Sequence, residues 1–217
     1  MSLTSWKQHL RDWKNCERCE LSKYRTHPVF FRYAKLSKSS EALTEVIRKT
    51  SKPKCEILII GEAPGESEDL HGKPFVGPSG HLLNKMLLTA YNLFCDEYHH
   101  PHDWAFEPVV GITNIVSCIP MTENDAGFLA VREPTKAEAL TCRPRLQQLI
   151  DLACPTIIVS LGAVAKKFLP PTPECHHFNL RHPSYILRQE SENRSAEEIG
   201  MFEGSLIEIF KTWKHHA

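Results

Sequence analysis

The sequence contains no apolar run of about eighteen residues, the length a helix needs to span a bilayer. Its opening stretch, MSLTSWKQHLRDWKNC, has no apolar core of the kind a secretion signal carries. A cytoplasmic protein that meets no membrane is therefore expected. There is no net charge either, with 26 Lys and Arg against 26 Asp and Glu, so the chain is neither a polyacid nor a polybase. Internal repeats and long low-complexity tracts are absent, which excludes solenoids and linker-like chains. At 41% hydrophobic and 24% charged the composition is that of a folded globular protein. Its 217 residues suit one domain spanning 1–217.

The zero balance conceals an asymmetry. Residues 1–54 hold 13 basic and 5 acidic side chains, and residues 55–217 hold 13 and 21. A basic N-terminal arm suits a polyanionic partner through phosphate neutralisation, although a solvated arm with no partner has the same composition. With no secretion signal, the eight cysteines are read as metal ligands or buried small side chains, not as a disulfide framework. Cys16 and Cys19 form a C-x2-C knuckle, and zinc or an iron–sulfur cluster needs four ligands. Cys118, just past a strand, and Cys142, on a helix, are candidates for the other pair. Cys175, beside His176 and His177, is weaker. Cys55, Cys95 and Cys154 read as core residues. The histidines at 99, 100 and 102 sit in a surface insertion with nothing to preorganise a metal site.

Four short apolar runs read as strands: Ile57–Ile60, Val109–Val116, Thr156–Leu161 and His177–Leu180. Helical patterns lie between and after them. Pro78–Tyr91 opens on Pro and Ser. Pro134–Ala153 has a capping box from Thr135 to Glu138, and Pro144 should kink or split it. Ser195–Trp213 opens on a second box, Ser195 to Glu198, and places Ile199, Phe202, Leu206, Ile209 and Trp213 at helical spacing. Strands alternating with helices predict an α/β fold, a parallel sheet covered on both faces. Two polar stretches, near 36–54 and 92–107, read as insertions.

In such a fold the loops at the carboxyl ends of the strands form the ligand crevice. Three lie there: GEAPGESED (61–69), the segment Asn114–Cys118, and His182-Pro183-Ser184. The first carries four carboxylates in nine residues. Its two glycines could cradle a phosphate, but it lacks the Lys-Ser/Thr of a P-loop and its acids would repel one.

Taken together, these blocks resemble one family. ILIIGEAPGESEDLHGKPFVGPSGHLLNKML (57–87), ITNIVSCIP (112–120), EPTKAEALTCRPRL (133–146), IIVSLGAVA (157–165) and RHPSYILR (181–188) follow the order of the iron–sulfur uracil-DNA glycosylases, family 4 of their superfamily. CERCELSKYRT (16–26) resembles their N-terminal cysteine box. The resemblance implies a three-layer sandwich with a four-stranded parallel sheet between helices. It implies that Cys16, Cys19, Cys118 and Cys142 hold a [4Fe–4S] cluster with a structural role. The stretch from Cys118 to Cys142 looks longer than usual, with GFLAV (127–131) as the extra segment.

The resemblance also implies an enzyme that flips a base out of DNA and hydrolyses its N-glycosidic bond. Phe75 would stack on the base, Asn114 would bond its edge, and His182 would stabilise negative charge growing on it. Glu62 would orient water or face the sugar cation, with Ala63 standing where another branch of the superfamily has an aspartate. Glu68 would crowd the C5 edge and exclude thymine, since Gly65 offers no aromatic gate. Glu66 and Asp69 are left to cap or solvate the loop. Ser184 and the backbone of Pro78, Ser79 and Gly80 would grip phosphates. Tyr185, Ile186 and Leu187 would fill the vacated stack, and Arg188 would touch the DNA backbone.

Uracil is the first expectation for the base. Because the Asn114 amide can present either an N–H or a C=O, a second is a bulky modified pyrimidine, such as a modified cytosine of phage DNA, excised in anti-phage defence. A third, of another class, is a non-catalytic iron–sulfur DNA-binding module.

Overall fold

The structure is a computed structural model and describes residues 5–36, 54–103, 106–123, 127–189 and 192–216. In chain order its strands are β1 (Arg32–Tyr33), β2 (Ile57–Gly61), β3 (Val110–Asn114), β4 (Met121–Glu123), β5 (Leu129–Val131), β6 (Ile157–Leu161) and β7 (His176–Leu180). The helices are α1 (Trp6–Lys14), α2 (Glu66–His71), α3 (Pro78–Tyr98), α4 (Lys136–Ala153), α5 (Gly162–Phe168), α6 (Pro183–Leu187) and α7 (Glu192–His216). A 3-10 turn covers Glu20–Lys23.

β2, β3 and β6 consist wholly of buried residues, as strands covered on both faces must. They pair in parallel with β7 in the order β3-β2-β6-β7. The expected four parallel strands are present, but the sheet has a fifth. β1 pairs antiparallel with the outer side of β3, Arg32 opposite Ile112. Two residues are too few for a periodic signal, so this edge strand is invisible in the sequence. β4 and β5 form a separate antiparallel hairpin, which is where the GFLAV segment goes.

Side chains alternate between two cores. Ile57, Ile59, Ile112 and Val159 meet α3 and α7 through Met86, Phe94, Leu206 and Phe210. Leu58, Ile60 and Ile158 meet α4 and α5 through Leu146, Leu149, Ile150 and Ala165. These are the three expected layers. Among the described residues no helix is long and apolar enough to cross a membrane.

Several local expectations are corrected. α4 carries the predicted Thr135–Glu138 capping box and then runs unbroken through Pro144. Pro144 lies on the exposed side, where water can take the carbonyl it leaves unpaired. α7 starts by Glu192, so Ser195 is an interior residue and not its cap. α3 continues to Tyr98 and takes up half of the insertion expected at 92–107. Of the insertion near 36–54, residues 37–53 lie outside the described residues. Cys154 is exposed at the end of α4 instead of buried. The second half of GEAPGESED is not a loop but the start of α2. Glu66, Glu68 and Asp69 stand in its first turn, where the helix dipole favours negative charge.

Candidate active site

The chain turns back between β3 and β6, on either side of β2, and a cleft of about 750 Å³ opens at the carboxyl ends of these strands. Register puts Gly61, the last residue of β2, beside Asn114, the last of β3. A Cβ on Gly61 would fall 2.5 Å from Asn114 Oδ1 and 2.5 Å from the Phe75 ring. Only glycine lets both side chains approach the strand so closely.

Asn114 lines the cleft, yet it is 1% exposed, and neither its Oδ1 nor its Nδ2 has a partner among the described residues. An unsatisfied buried amide costs about 1–3 kcal/mol. The position carries a penalty that a bound ligand could relieve.

Phe75 lies beside it with φ of 54°, a left-handed conformation rare outside glycine. Its turn is held from two sides. Arg32 donates from Nε to the Pro74 carbonyl at 2.6 Å, and from Nη2 to the Phe75 carbonyl at 3.0 Å and Asn84 Oδ1 at 2.9 Å. Glu68 Oε1 accepts from the N–H groups of Val76 at 2.8 Å and Gly77 at 2.7 Å, and its Oε2 accepts from Gly65 N–H at 3.1 Å. The glycine at 80 is also demanded, because a Cβ there would lie 2.0 Å from the Phe75 carbonyl oxygen. Gly80 therefore serves the Phe75 turn, and Pro78, having no N–H, has no backbone donor to offer a phosphate.

His182 faces Phe75 with ring centroids 5.7 Å apart. It caps α6, accepting at Nδ1 from the Ser184 backbone N–H at 3.2 Å. Burial, then the nearby Arg188 cation, lowers its pKa to about 4, so the ring is neutral at pH 7. Glu62 lines the same cleft. Burial, with the Glu133 carboxylate adding, raises its pKa to about 7. Ala63, Gly65, Ser79, Ser184, Tyr185 and Arg188 also line the cleft. Tyr185, in the cleft lining, is 39% exposed and Leu187, two residues on, is 49% exposed, and Arg181 stacks over the Tyr185 ring at 4.9 Å. Ile186, expected between them as a wedge, is instead 1% exposed and packs into the core as α6 turns it inward.

The four predicted ligands come together at a second place. Cys16, Cys19, Cys118 and Cys142 line one cavity, joined by Arg25 and Arg145. Burial pushes the Cys19 and Cys118 thiols up from their ordinary value. Arg25 Nη1 donates to Cys118 Sγ at 3.3 Å, which suits an anionic sulfur. Among the described residues no three His, Cys, Asp or Glu side chains converge on one metal ion. Four thiols lining one cavity supply the number of attachment points that an iron–sulfur cluster needs. In the histidine-rich stretch, His100 bonds the Phe106 carbonyl and His102 bonds Asp96.

Two polar residues, Arg32 and Arg145, carry no signal in the sequence, and Asp69, expected only to cap or solvate its loop, has a further partner. Asp69 is buried and accepts from Thr26 N–H through both oxygens, at 3.0 and 2.8 Å, tying the cysteine box to α2. Arg32 holds the Phe75 turn, and Arg145 bonds the end of β3. Arg25, which also donates to the Cys16 carbonyl at 2.8 Å, and Arg32, both counted in the basic arm, bond the protein's own backbone.

A family model described as the uracil DNA glycosylase superfamily matches residues 48–203. The type-4 uracil-DNA glycosylase of Sulfurisphaera tokodaii is 34% identical over 155 residues, covering 71% of this chain and 53% of that protein. That of Archaeoglobus fulgidus is 30% identical over 160 residues, 74% of this chain and 61% of that protein. That of Thermotoga maritima is 31% identical over 151 residues, 62% and 68% respectively. The chain spans about half the length of the first of these relatives. A crystal structure of Pedobacter heparinus SMUG2 superposes with a TM-score of 0.56 at 14% identity, over 97% of this chain and 99% of that one, a likeness of fold. Sheet order, cleft position and these matches agree: the chain belongs to the uracil DNA glycosylase superfamily.

Proposed function

We propose that the protein is a monofunctional DNA glycosylase that flips uracil out of cytoplasmic DNA and hydrolyses its N-glycosidic bond, leaving an abasic site. The observation that carries this reading is the unpartnered, buried amide of Asn114 facing a cleft beside Phe75 and a neutral His182. Uracil presents O4 as an acceptor and N3–H as a donor side by side, the complement of one carboxamide. With the base stacked on Phe75, Asn114 Nδ2–H donates to O4 and Oδ1 accepts N3–H.

His182 then has one free nitrogen. Nδ1 is occupied by the Ser184 N–H, so the proton sits on Nε2. That N–H donates to O2, where charge gathers as the C1′–N1 bond breaks and its electron pair moves onto the base. Ionised Glu62 stabilises the cationic sugar and takes a proton from the water whose oxygen bonds C1′. The base leaves as an N1 anion and is protonated by solvent. Glu68, fixed by three backbone N–H groups, limits what the C5 edge can carry, because Gly65 contributes no side chain. Tyr185 and Leu187 fill the gap in the stack, and Ser79, Ser184 and Arg188 contact the phosphates.

Cys16, Cys19, Cys118 and Cys142 would hold a [4Fe–4S] cluster. When bound, it supplies iron–thiolate bonds that join the N-terminal arm, the segment after β3 and α4 into one unit. The size of the cleft favours a second substrate class, a bulky modified pyrimidine.

The test is abasic-site cleavage on oligonucleotides carrying uracil, a T·G mismatch, hypoxanthine, or hydroxymethylated or glucosylated cytosine. Scission at uracil is expected. Release from a modified cytosine alone would transfer the function to the second class. Binding without scission on any substrate would leave a non-catalytic DNA-binding module. Purified protein should contain about four irons per chain with matching acid-labile sulfide; stoichiometric zinc would overturn the cluster.

A further inference from the structure

Arg145 is 1% exposed and the largest fully buried side chain among the described residues. Every acceptor it reaches among the described residues is neutral: Thr113 Oγ1 at 3.3 Å, the Asn114 carbonyl at 2.5 Å and the Ile115 carbonyl at 3.0 Å. Its Nε is buried without a partner, and no carboxylate among the described residues pairs with it. A guanidinium stays protonated at any physiological pH, and a buried charge with no counter-charge is strongly unfavourable. Nearby His9 gives no relief, since burial and then Arg145 itself lower its pKa to about 4.

The missing negative charge has one evident place. Arg145 follows Cys142 by three residues on α4, hence on the same face, and it lines the four-cysteine cavity with Arg25. Neutral thiols do not offset a cation. Four ligating thiolates do, because they outweigh the charge of a [4Fe–4S] core and leave the assembly anionic. The same guanidinium clasps residues 113–115, and the middle one is the residue whose amide faces the cleft.

We propose that Arg145 is a positioning residue that couples the group held by the four cysteines to the base-reading amide of Asn114. Its charge is offset on the cysteine side, and its N–H fork fixes the end of β3 on the other. The inference rests on the reading that the cysteines hold an iron–sulfur cluster and that Asn114 contacts the flipped base.

The experiment uses iron-loaded full chain, wild type against Arg145→Met and Arg145→Lys, with two readouts. The first is the midpoint potential of the cluster. The second is the preference for a duplex bearing one non-cleavable 2′-fluorinated deoxyuridine over the same duplex with thymidine, measured by fluorescence anisotropy. Methionine should lower the potential, since a cation that favours the more negative, reduced cluster is gone, and should cut the preference about tenfold. Lysine should restore the potential but not the preference, because an ammonium cannot span three oxygens as a planar fork. Wild-type potential and wild-type preference in both variants, at full iron content, would overturn the proposal. If the methionine variant does not fold, the lysine variant decides: a lost preference at normal potential supports the coupling, and an unchanged preference sinks it. If wild type itself shows no uracil preference, the proposed substrate fails and the potential alone decides, with no shift on removing the cation as the overturning result.

Discussion

The backbone N–H of Ser184 donates to Nδ1 of His182 at 3.2 Å, and the Ser184 hydroxyl lies 2.8 Å from the same nitrogen. A backbone amide can only donate, so Nδ1 must accept and the ring proton must sit on Nε2. This one bond caps α6 and selects the tautomer that carries its proton on Nε2. Replacing His182 with Ala should lower single-turnover base release by about 10²–10³-fold, the cost of one oxyanion donor. Affinity for uracil-containing DNA should change far less. Because the pKa of His182 is lowered to about 4, its charge should leave no inflection in the rate between pH 5.5 and 8.

Glu62 should supply that inflection. Its pKa is raised to about 7, and the proposed role needs the carboxylate, so the rate should rise with pH and level off above about 7. Glu62→Gln should flatten the profile and cost about 10²–10⁴-fold. The stability effect has the opposite sign. A carboxyl whose folded pKa exceeds its unfolded value contributes stability at low pH and loses it as pH rises through about 7. The glutamine variant should therefore gain more in melting temperature, relative to wild type, at pH 8 than at pH 5.

The Phe75 turn should be the mechanical weak point of the cleft. Glu68→Gln replaces one acceptor oxygen with an amide that confronts a backbone N–H. Arg32→Met leaves two buried carbonyls and the Asn84 side chain without their donor. Each should cost about 1–3 kcal/mol in denaturant unfolding. Each should also lower uracil affinity more than the bond-breaking rate, because the proposed role of Phe75 is to stack on the base and not to take part in chemistry.

Asn114 should show stability and function pulling apart. Leucine has nearly its shape and no polar atoms to leave unsatisfied. Asn114→Leu should match or exceed the wild-type melting temperature while abolishing base release. A clear loss of stability would mean that the amide has a partner after all.

The scaffold was readable in the sequence because its signals are local. Leu58 and Ile60 face one core and Ile57 and Ile59 the other, so β2 reads as a continuous apolar run. Thr135 and Glu138 form their capping box within a single turn. Asn114 and His182 could be picked out as cleft residues by resemblance and by their place at strand ends. The partners of Arg32, Asp69 and Arg145 could not, because they lie 31–43 residues away and a buried arginine looks like any other in a sequence. The acid-rich loop was misread in part: its charges serve a helix start, a turn clasp and a tether to the cysteine box before any ligand arrives. Ile186 shows the limit of motif transfer, since α6 turns it inward while its two neighbours face out.

The two-residue edge strand β1 has a consequence for how the site comes into being. The matched superfamily region begins at residue 48, beyond Cys16, Cys19, Thr26 and Arg32. A polypeptide starting there would still own the buried parallel strands and could form the sheet. It would lack the cation that holds Phe75 in its left-handed turn, the amide that anchors Asp69, and half of the cysteine cavity. During folding, the cleft can reach working order only after residues 16–32 have docked against strands that follow them in the sequence.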